Sequence, residues 1–447
     1  MATRTEEAQG YLPRWTLKSE GIIAPEERLP WGQTIFLGLQ HVLAMFGATV
    51  LAPIVMGFDP NTAIFFSGIG TLVFFLVVGG RVPSYLGSSF SFIAVVLAAT
   101  GFAAGFHGPG LNPNIPVALG GIIACGVLYA IIGLIVMFTG YQWIEVIMPP
   151  AVTGAIVAVI GLNLAPVAIG DIGTDTFGVV MAIITVLAIA LIAIYAPSFL
   201  KRLPILLGGI IGYLLYLIGA NGFGWGKPID FSNVANAAWI GLPNFTGPVF
   251  HTDAMILIAP VAIILVAENL GHVKAVAAMT GQNLDKYLGR AFLGDGLSTI
   301  LAGLGGGTGV TTYAENIGVM AVTRIYSTLL FIVAAVVALI LGFCPKFGQL
   351  IYTIPSSVLG GLAIVLFGLI AATGARIWVQ NRVDFSRTRN LIPVAVALTI
   401  GAGNFQIAMG SFTLSAIGVA TIAAIVLYQI LRERAPEEQA VETGPEG

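Results

Sequence analysis

The stretch Gly307–Arg324, GTGVTTYAENIGVMAVTR, decides how this chain is read. It lies deep in the apolar second half and does not read as an ordinary membrane helix. The small residues at its start hold a helix poorly. The run Val310, Thr311, Thr312, Tyr313 favours an extended strand. Glu315 and Asn316 then place a carboxylate and an amide where lipid favours neither. A helix resumes through Ile317, Val319, Met320 and Val322 and stops at Arg324. A strand running into a half-helix leaves free backbone N–H groups at membrane depth, and such backbone persists only inside protein or along a cavity. Free N–H groups beside a carboxylate make a site for a small polar ligand.

The rest of the chain sets that stretch in a membrane. Of 447 residues, 57% are hydrophobic and 9% charged, far too apolar a balance for a soluble domain. The fold class expected is an all-α polytopic membrane protein. The two cysteines, Cys125 and Cys344, lie in or beside apolar segments, so no disulfide framework is expected. No short apolar region with a cleavage site precedes Trp31, so no removable signal peptide is expected. No basic domain exists to bind nucleic acid, and the net charge is −2.

About 20 apolar residues cross a bilayer core. That rule places seven segments in each half, near 32–53, 60–80, 84–105, 116–138, 148–168, 176–196 and 204–220, then 254–274, 290–304, 308–323, 326–344, 350–374, 390–405 and 412–431. A polar connection over 221–252 separates the halves. With the N-terminus inside, the cytoplasmic side collects Arg81, Lys201, Arg202, Lys274, Lys286, Arg290, Arg324, Arg376, Arg382, Arg387, Arg389 and the basic residues of both tails, Arg4, Arg432 and Arg434 included. Only Lys227 and Lys346 fall outside. Fourteen spans with both ends cytoplasmic follow. Seven is odd, so a repeat of the halves must be inverted. PPAVTGAIVAVIGLNLA from Pro149 resembles IPSSVLGGLAIVLFGLIA from Ile354. SYLGSSFSFIAVV from Ser84, with Gly87, Ser88, Ser89 and Ser91 before an aromatic, is the counterpart of the opening stretch. Interrupted segments at matching places in two halves point to a transporter binding site; close packing of small residues is the plainer reading.

Three carboxylates lie inside predicted spans: Glu268, Asp295 and Glu315. Each costs at least ~2.5–3.5 kcal/mol at a helix centre, so a functional role is the default and a buried partner or a snorkelling end residue the alternative. Asp295 lies nearer a cytoplasmic end, and there the two readings balance. His272 follows Glu268 by one helical turn on the same face in VAENLGHVKA. A carboxyl group withdrawn from water beside an imidazole can take up and release a proton as a site alternates between two aqueous faces. No further His or Cys stands near, so no metal site is expected. His41, in LQHVLAMFGAT, reads equally as a satisfied core histidine or as a support for the site.

Two carboxylates accept hydrogen bonds, and backbone N–H groups beside Phe90 and Ala314 donate them. A cyclic imide presents N–H next to C=O, so a pyrimidine or purine base matches, with Phe90 stacking on the ring. An inorganic anion would meet two acids. A cation channel would carry a ring of repeated acids, which is not seen.

ENIGVMAVTR from Glu315, with LQHVLAMFGATVL, SYLGSSFSFI and AENLGH, resembles the nucleobase/ascorbate transporter family, in its uracil and pyrimidine permease branch. The resemblance runs from about Pro30 to Arg432. It implies a core domain of segments 1–4 and 8–11 (residues 30–140 and 253–345) and a gate domain of segments 5–7 and 12–14 (residues 141–220 and 346–431). A cytoplasmic tail over 1–29, an extracytoplasmic connection over 221–252 and a tail over 432–447 complete the chain. It implies short antiparallel strands in segments 3 and 10. Base contacts fall to Glu268, Glu315 and the backbone at Phe90 and Ala314, and proton coupling to Glu268, His272 and Glu315. Tyr313, Asn316, His41, Asp295 and Ser89 are supporting candidates. Homodimers in a bacterial inner membrane are implied. Glu at 315 resembles uracil members, whereas xanthine and urate members usually carry Gln. Two departures stand out. Ala314 replaces a frequent Gly. Phe367 replaces a Tyr of some relatives, and packing against lipid or gate is its simpler account. The function expected is import of uracil, and of related pyrimidines, by proton symport, with Na⁺ the other coupling ion. A purine permease, or an anion exchanger or channel of the same fold, is the alternative. No cofactor and no enzymatic activity are expected, since no nucleophile–base pair appears.

Overall fold

Two three-residue strands, Leu86–Ser88 and Val310–Thr312, pair antiparallel with Leu86 opposite Thr312, Gly87 opposite Thr311 and Ser88 opposite Val310. All six residues are buried. In this computed structural model residues 10–102, 112–197, 200–409 and 412–431 are described. The first nine residues and the tail from 432, with Arg4, Arg432 and Arg434 of the charge pattern, lie outside them.

Every predicted segment has a helical counterpart. Among the described residues, eight helices are long and apolar enough to cross a membrane. These are Trp31–Met56, Pro60–Val77, Ile115–Thr139, Pro150–Ile172, Thr176–Tyr195, Pro204–Gly222, Thr252–Thr280 and Ser356–Gln380, which are segments 1, 2, 4, 5, 6, 7, 8 and 12. Segment 11 is a bent pair, Leu329–Gly342 and Pro345–Tyr352, turned by 82°. The other five are shorter or more polar: Phe90–Thr100, Leu288–Gly305, Ala314–Thr323, Thr388–Ala402 and Ala416–Ile430. Length and apolarity therefore support eight or nine full crossings, and the count of fourteen needs these five as well. The helix of segment 14 begins later than predicted, because Phe412–Leu414 pairs antiparallel with Ile407–Met409 before it starts.

The packing carries the repeat. Segment 4 packs on 9 as 11 packs on 2, and 1 on 11 as 8 on 4. Segment 6 packs on 7 as 13 on 14, 12 on 6 as 5 on 13, and 12 on 7 as 5 on 14. The pairs 2 with 9, 5 with 12 and the two strands map onto themselves. Exchanging each segment for the one seven places away returns the same contacts, as a repeat of two seven-segment halves requires. None of these pairs joins segments 1–4 and 8–11 to segments 5–7 and 12–14, so the helices form two groups. The groups touch through lesser contacts, segment 8 on 5 and segment 1 on 7 and 12.

From Tyr11 on, the N-terminal stretch is docked onto the first group. Trp15 stacks on Phe75 and donates to Thr328 Oγ1 at 3.0 Å. Tyr11 donates to the carbonyls of Leu76 and Val77. Ile23 N–H donates to the carbonyl of Arg324, which ends the segment 10 helix in the left-handed region (φ 56°). A polar composition hid this docking, since an aromatic every few residues is enough to anchor a strap.

Candidate functional site

The strand pair sets the site because each strand delivers the start of a helix. After Ser88, Ser89 adopts extended backbone and its Oγ accepts from Ser91 N–H, opening a tight turn at Phe90. After Thr312, Tyr313 is extended and the helix begins at Ala314 with no side-chain cap. The first-turn N–H groups of a helix have no partner within it, and this start, with no side-chain cap, lies at the exposed Ala314. Gly87 is required here. A Cβ at that position would lie 2.5 Å from the Tyr313 ring. Tyr313 is buried under it, donates to the carbonyl of Ser88 at 2.9 Å and accepts from Thr49 at 3.0 Å.

Alternation along a strand sends neighbouring side chains to opposite faces, and the two threonines divide the chemistry. Thr312 Oγ1 lies 2.8 Å from His272 Nδ1. Thr311 Oγ1 donates to Asp295 at 3.3 Å. On the first face stand His272 and, one turn earlier on the same helix, Glu268, both half-buried. Glu268 Oε2 is buried with no hydrogen-bond partner among the described residues. That helix packs on the Phe90 turn, on the Val310–Thr312 strand and on the Ala314–Thr323 helix. Glu315, in the first turn of the latter and half-buried, therefore lies on the helix packed against that of Glu268. Phe90 closes one side and meets Phe367 of segment 12 edge-on, with ring centroids 5.6 Å apart. Phe367 is 1% exposed, so it packs against Phe90 within the protein rather than against lipid.

On the second face Asp295 is fully buried. Its Oδ2 accepts from Asn269 at 2.8 Å, from Thr311 and from Tyr129 at 3.4 Å, while Asn269 also donates to Tyr129 at 3.0 Å. Among the described residues, Oδ1 of Asp295 and Oδ1 of Asn269 have no hydrogen-bond partner. Asp295 therefore sits behind the strand from Glu268 and Glu315. Of the remaining supporting candidates, Asn316 donates to His41 Nδ1 at 3.1 Å and to the His41 carbonyl at 3.0 Å, tying segment 10 to segment 1. Ser89 and Tyr313 hold the strand ends as described.

Reading the sequence missed Thr312, Asn269, Tyr129 and Gln40. Gln40 is 1% exposed, and both its amide atoms lack hydrogen-bond partners among the described residues. The signal for Asn269 was its place beside Glu268; no signal marked Tyr129. A cleft of about 260 Å³ lies between the two helix groups. Glu315 and Gly318 form one wall, Leu369 and the Lys201–Leu206 turn the others. Glu268, Phe90 and Ala314 are not among its walls. Among the described residues no group of His, Cys, Asp and Glu could hold a metal ion.

Solved structures of other transporters share this fold. One, of the protein SLC26A9, matches with a TM-score of 0.64 at 15% identity, covering 89% of this chain and 64% of that one, so this chain spans just under two thirds of its length. The transmembrane domain of a cyanobacterial bicarbonate transporter, BicA, matches with a TM-score of 0.57 at 17% identity, covering 89% and 97%. Such identities speak to the fold alone. Sequence relatives are nearer. A protein named as pyrimidine permease RutG in Escherichia coli K12 is 60% identical over 94% of this chain and 96% of its own length. The uracil permease of the same strain is 39% identical over 93% and 96%, and that of Bacillus subtilis strain 168 is 37% identical over 91% and 94%. A family model described as the permease family matches residues 32–410. The chain belongs to this permease family, the nucleobase/ascorbate transporters, on its uracil and pyrimidine permease branch, and is a multi-pass membrane transporter.

Proposed function

We propose that the chain imports uracil, and related pyrimidine bases, by proton symport across a bacterial inner membrane. One observation carries the reading: Glu268 and Glu315 converge from two helices beside the uncapped start of a half-helix. The two carboxylates accept the N–H groups of the base. The free N–H donors at Ala314 and at the Phe90 turn answer its carbonyls, and Phe90, braced by Phe367, covers the ring. Relatives named as uracil and pyrimidine permeases support the substrate class.

Coupling rests on Glu268. Its unpartnered Oε2 accepts either a base N–H or a proton, and His272, steadied by Thr312, holds the proton when Glu268 gives it up. The helices of segments 1–4 and 8–11, within residues 30–140 and 253–345, act as the core. Those of segments 5–7 and 12–14, within 141–220 and 346–431, act as the gate, and movement of one against the other alternates access. Both termini lie in the cytoplasm, and the working unit is a homodimer. Fold neighbours named for anion or bicarbonate transport do not bring that chemistry here, because two acids line the site.

Cells expressing the full chain, given labelled uracil with unlabelled thymine or xanthine as competitor, test the reading. Uracil uptake displaced by thymine is expected. Displacement by xanthine and not by thymine would move the substrate to the purines.

A further inference from the structure

The cleft that reaches Glu315 is chemically two-ended, and only one end suits a neutral base. It is lined by Glu315 with Gly318 and Val319 on the segment 10 helix, and by Lys201 and Arg202 from the turn before segment 7. Leu43 and Leu369 face the space between. From Glu315 to Val322, the last helix residue on the cleft, the axis rises about 10 Å at 1.5 Å per residue. Lys201 is exposed, while Arg202 is half-buried with its Nε enclosed and unpartnered among the described residues. A bias of positive charge to the cytoplasmic side accounts for two basic residues in this turn. It does not account for a guanidinium nitrogen shut away from water with nothing to bond, since a buried donor without a partner is costly.

Resting on the substrate reading above, we infer that this cleft binds a pyrimidine nucleoside 5′-monophosphate from the cytoplasm, with the base toward Glu315 and the phosphate on Arg202 and Lys201. A guanidinium with a neighbouring ammonium is a fitting partner for a phosphate monoester, and Arg binds one in a forked geometry. The apolar walls between take the sugar and the face of the base. The volume of about 260 Å³ is a little below the usual range for a small-molecule site, so part of the nucleotide stays outside the cleft. Uracil carries no charge for the two cations to hold, so their use lies with an anionic derivative of the base. A nucleotide bound this way is too long and too charged to move on to the strand crossing. It occupies the carrier in its cytoplasm-facing form and slows import when the nucleotide made from the imported base is plentiful.

The experiment is displacement of labelled uracil from the purified full-length permease by uridine 5′-monophosphate, uridine and inorganic phosphate. The nucleotide is expected to displace uracil at concentrations at least ten-fold lower than either uridine or phosphate. Arg202→Gln is expected to weaken the nucleotide at least ten-fold with uracil affinity unchanged, and Lys201→Gln to weaken it less. Unchanged uracil affinity also shows that each variant is folded. Nucleotide no better than uridine, or phosphate alone as good as the nucleotide, would overturn the inference while leaving the substrate reading intact. Failure of wild-type protein to bind uracil would overturn the substrate reading itself.

Discussion

The two half-helices that leave the strand crossing are related by the repeat and differ in what they offer. The one in segment 3 starts behind Ser89, which caps its own turn, and runs on through apolar residues to Thr100. The one in segment 10 starts uncapped at Ala314, carries Glu315 and Asn316 in its first turn, and exposes Ala314 and Gly318. One half-helix has a side-chain cap on part of its start; the other has none. The repeat thus builds a symmetric frame, and chemistry is concentrated where the symmetry is broken. The same division holds across the Val310–Thr312 strand, where Thr312 serves His272 and Thr311 serves Asp295.

The largest break is expected at the frame. Gly87→Val drives a side chain into the Tyr313 ring and with it displaces the Tyr313 bonds to Ser88 and Thr49. Overpacking of a core alone costs ~1–3 kcal/mol. Thermal unfolding of the purified variant in detergent should show a clear loss of stability, and uracil binding should vanish with it. A wild-type melting profile would mean the crossing is looser than its geometry.

Next is the ligand side. Glu315→Gln swaps an acceptor for an amide in the uncapped half-helix while leaving the frame alone. A hydrogen bond to a charged group is worth ~1.5–3 kcal/mol, about ten- to a hundred-fold in Kd. Equilibrium binding of uracil should weaken by that factor in a protein that melts normally. Wild-type affinity would remove Glu315 from the site.

Thr312→Val should act more mildly, by ~1 kcal/mol or about five-fold. It frees His272 without touching the base, so the dependence of uptake on the proton gradient should fall more than uracil affinity does. Equal losses in both would make Thr312 a structural contact only. The smallest effect is expected from Ser89→Ala, in the self-capped half. Loss of a cap costs ~0.5–2 kcal/mol of stability, and uracil affinity should change less than two-fold. A larger change in affinity would mean that Ser89 reaches the ligand.

Much of this frame is legible in the sequence because its devices are local. The Val310–Tyr313 run, the serines after Gly87 and the Glu268–His272 spacing each announce themselves within a few residues. What stayed hidden depends on distant partners. Which threonine faces which acid follows from register, and register appears only once Gly87 is set opposite Thr311. Tyr129 lies 166 residues from the Asp295 carboxylate it bonds. Phe367 reads as a packing residue, but its partner Phe90 belongs to another helix group. The docking of Tyr11 and Trp15 turns a polar leader into a strap, which composition does not reveal. Hydropathy sees ordinary spans well and undervalues half-helices and polar segments such as Leu288–Gly305, which is why length and apolarity alone stop at eight or nine crossings among the described residues.

The most direct test of the account is accumulation of labelled uracil by proteoliposomes holding the full chain, under an imposed inward proton gradient, with and without a protonophore. The account predicts uptake against the uracil gradient that collapses when the protonophore is added. Uptake that is the same with and without the proton gradient would contradict it.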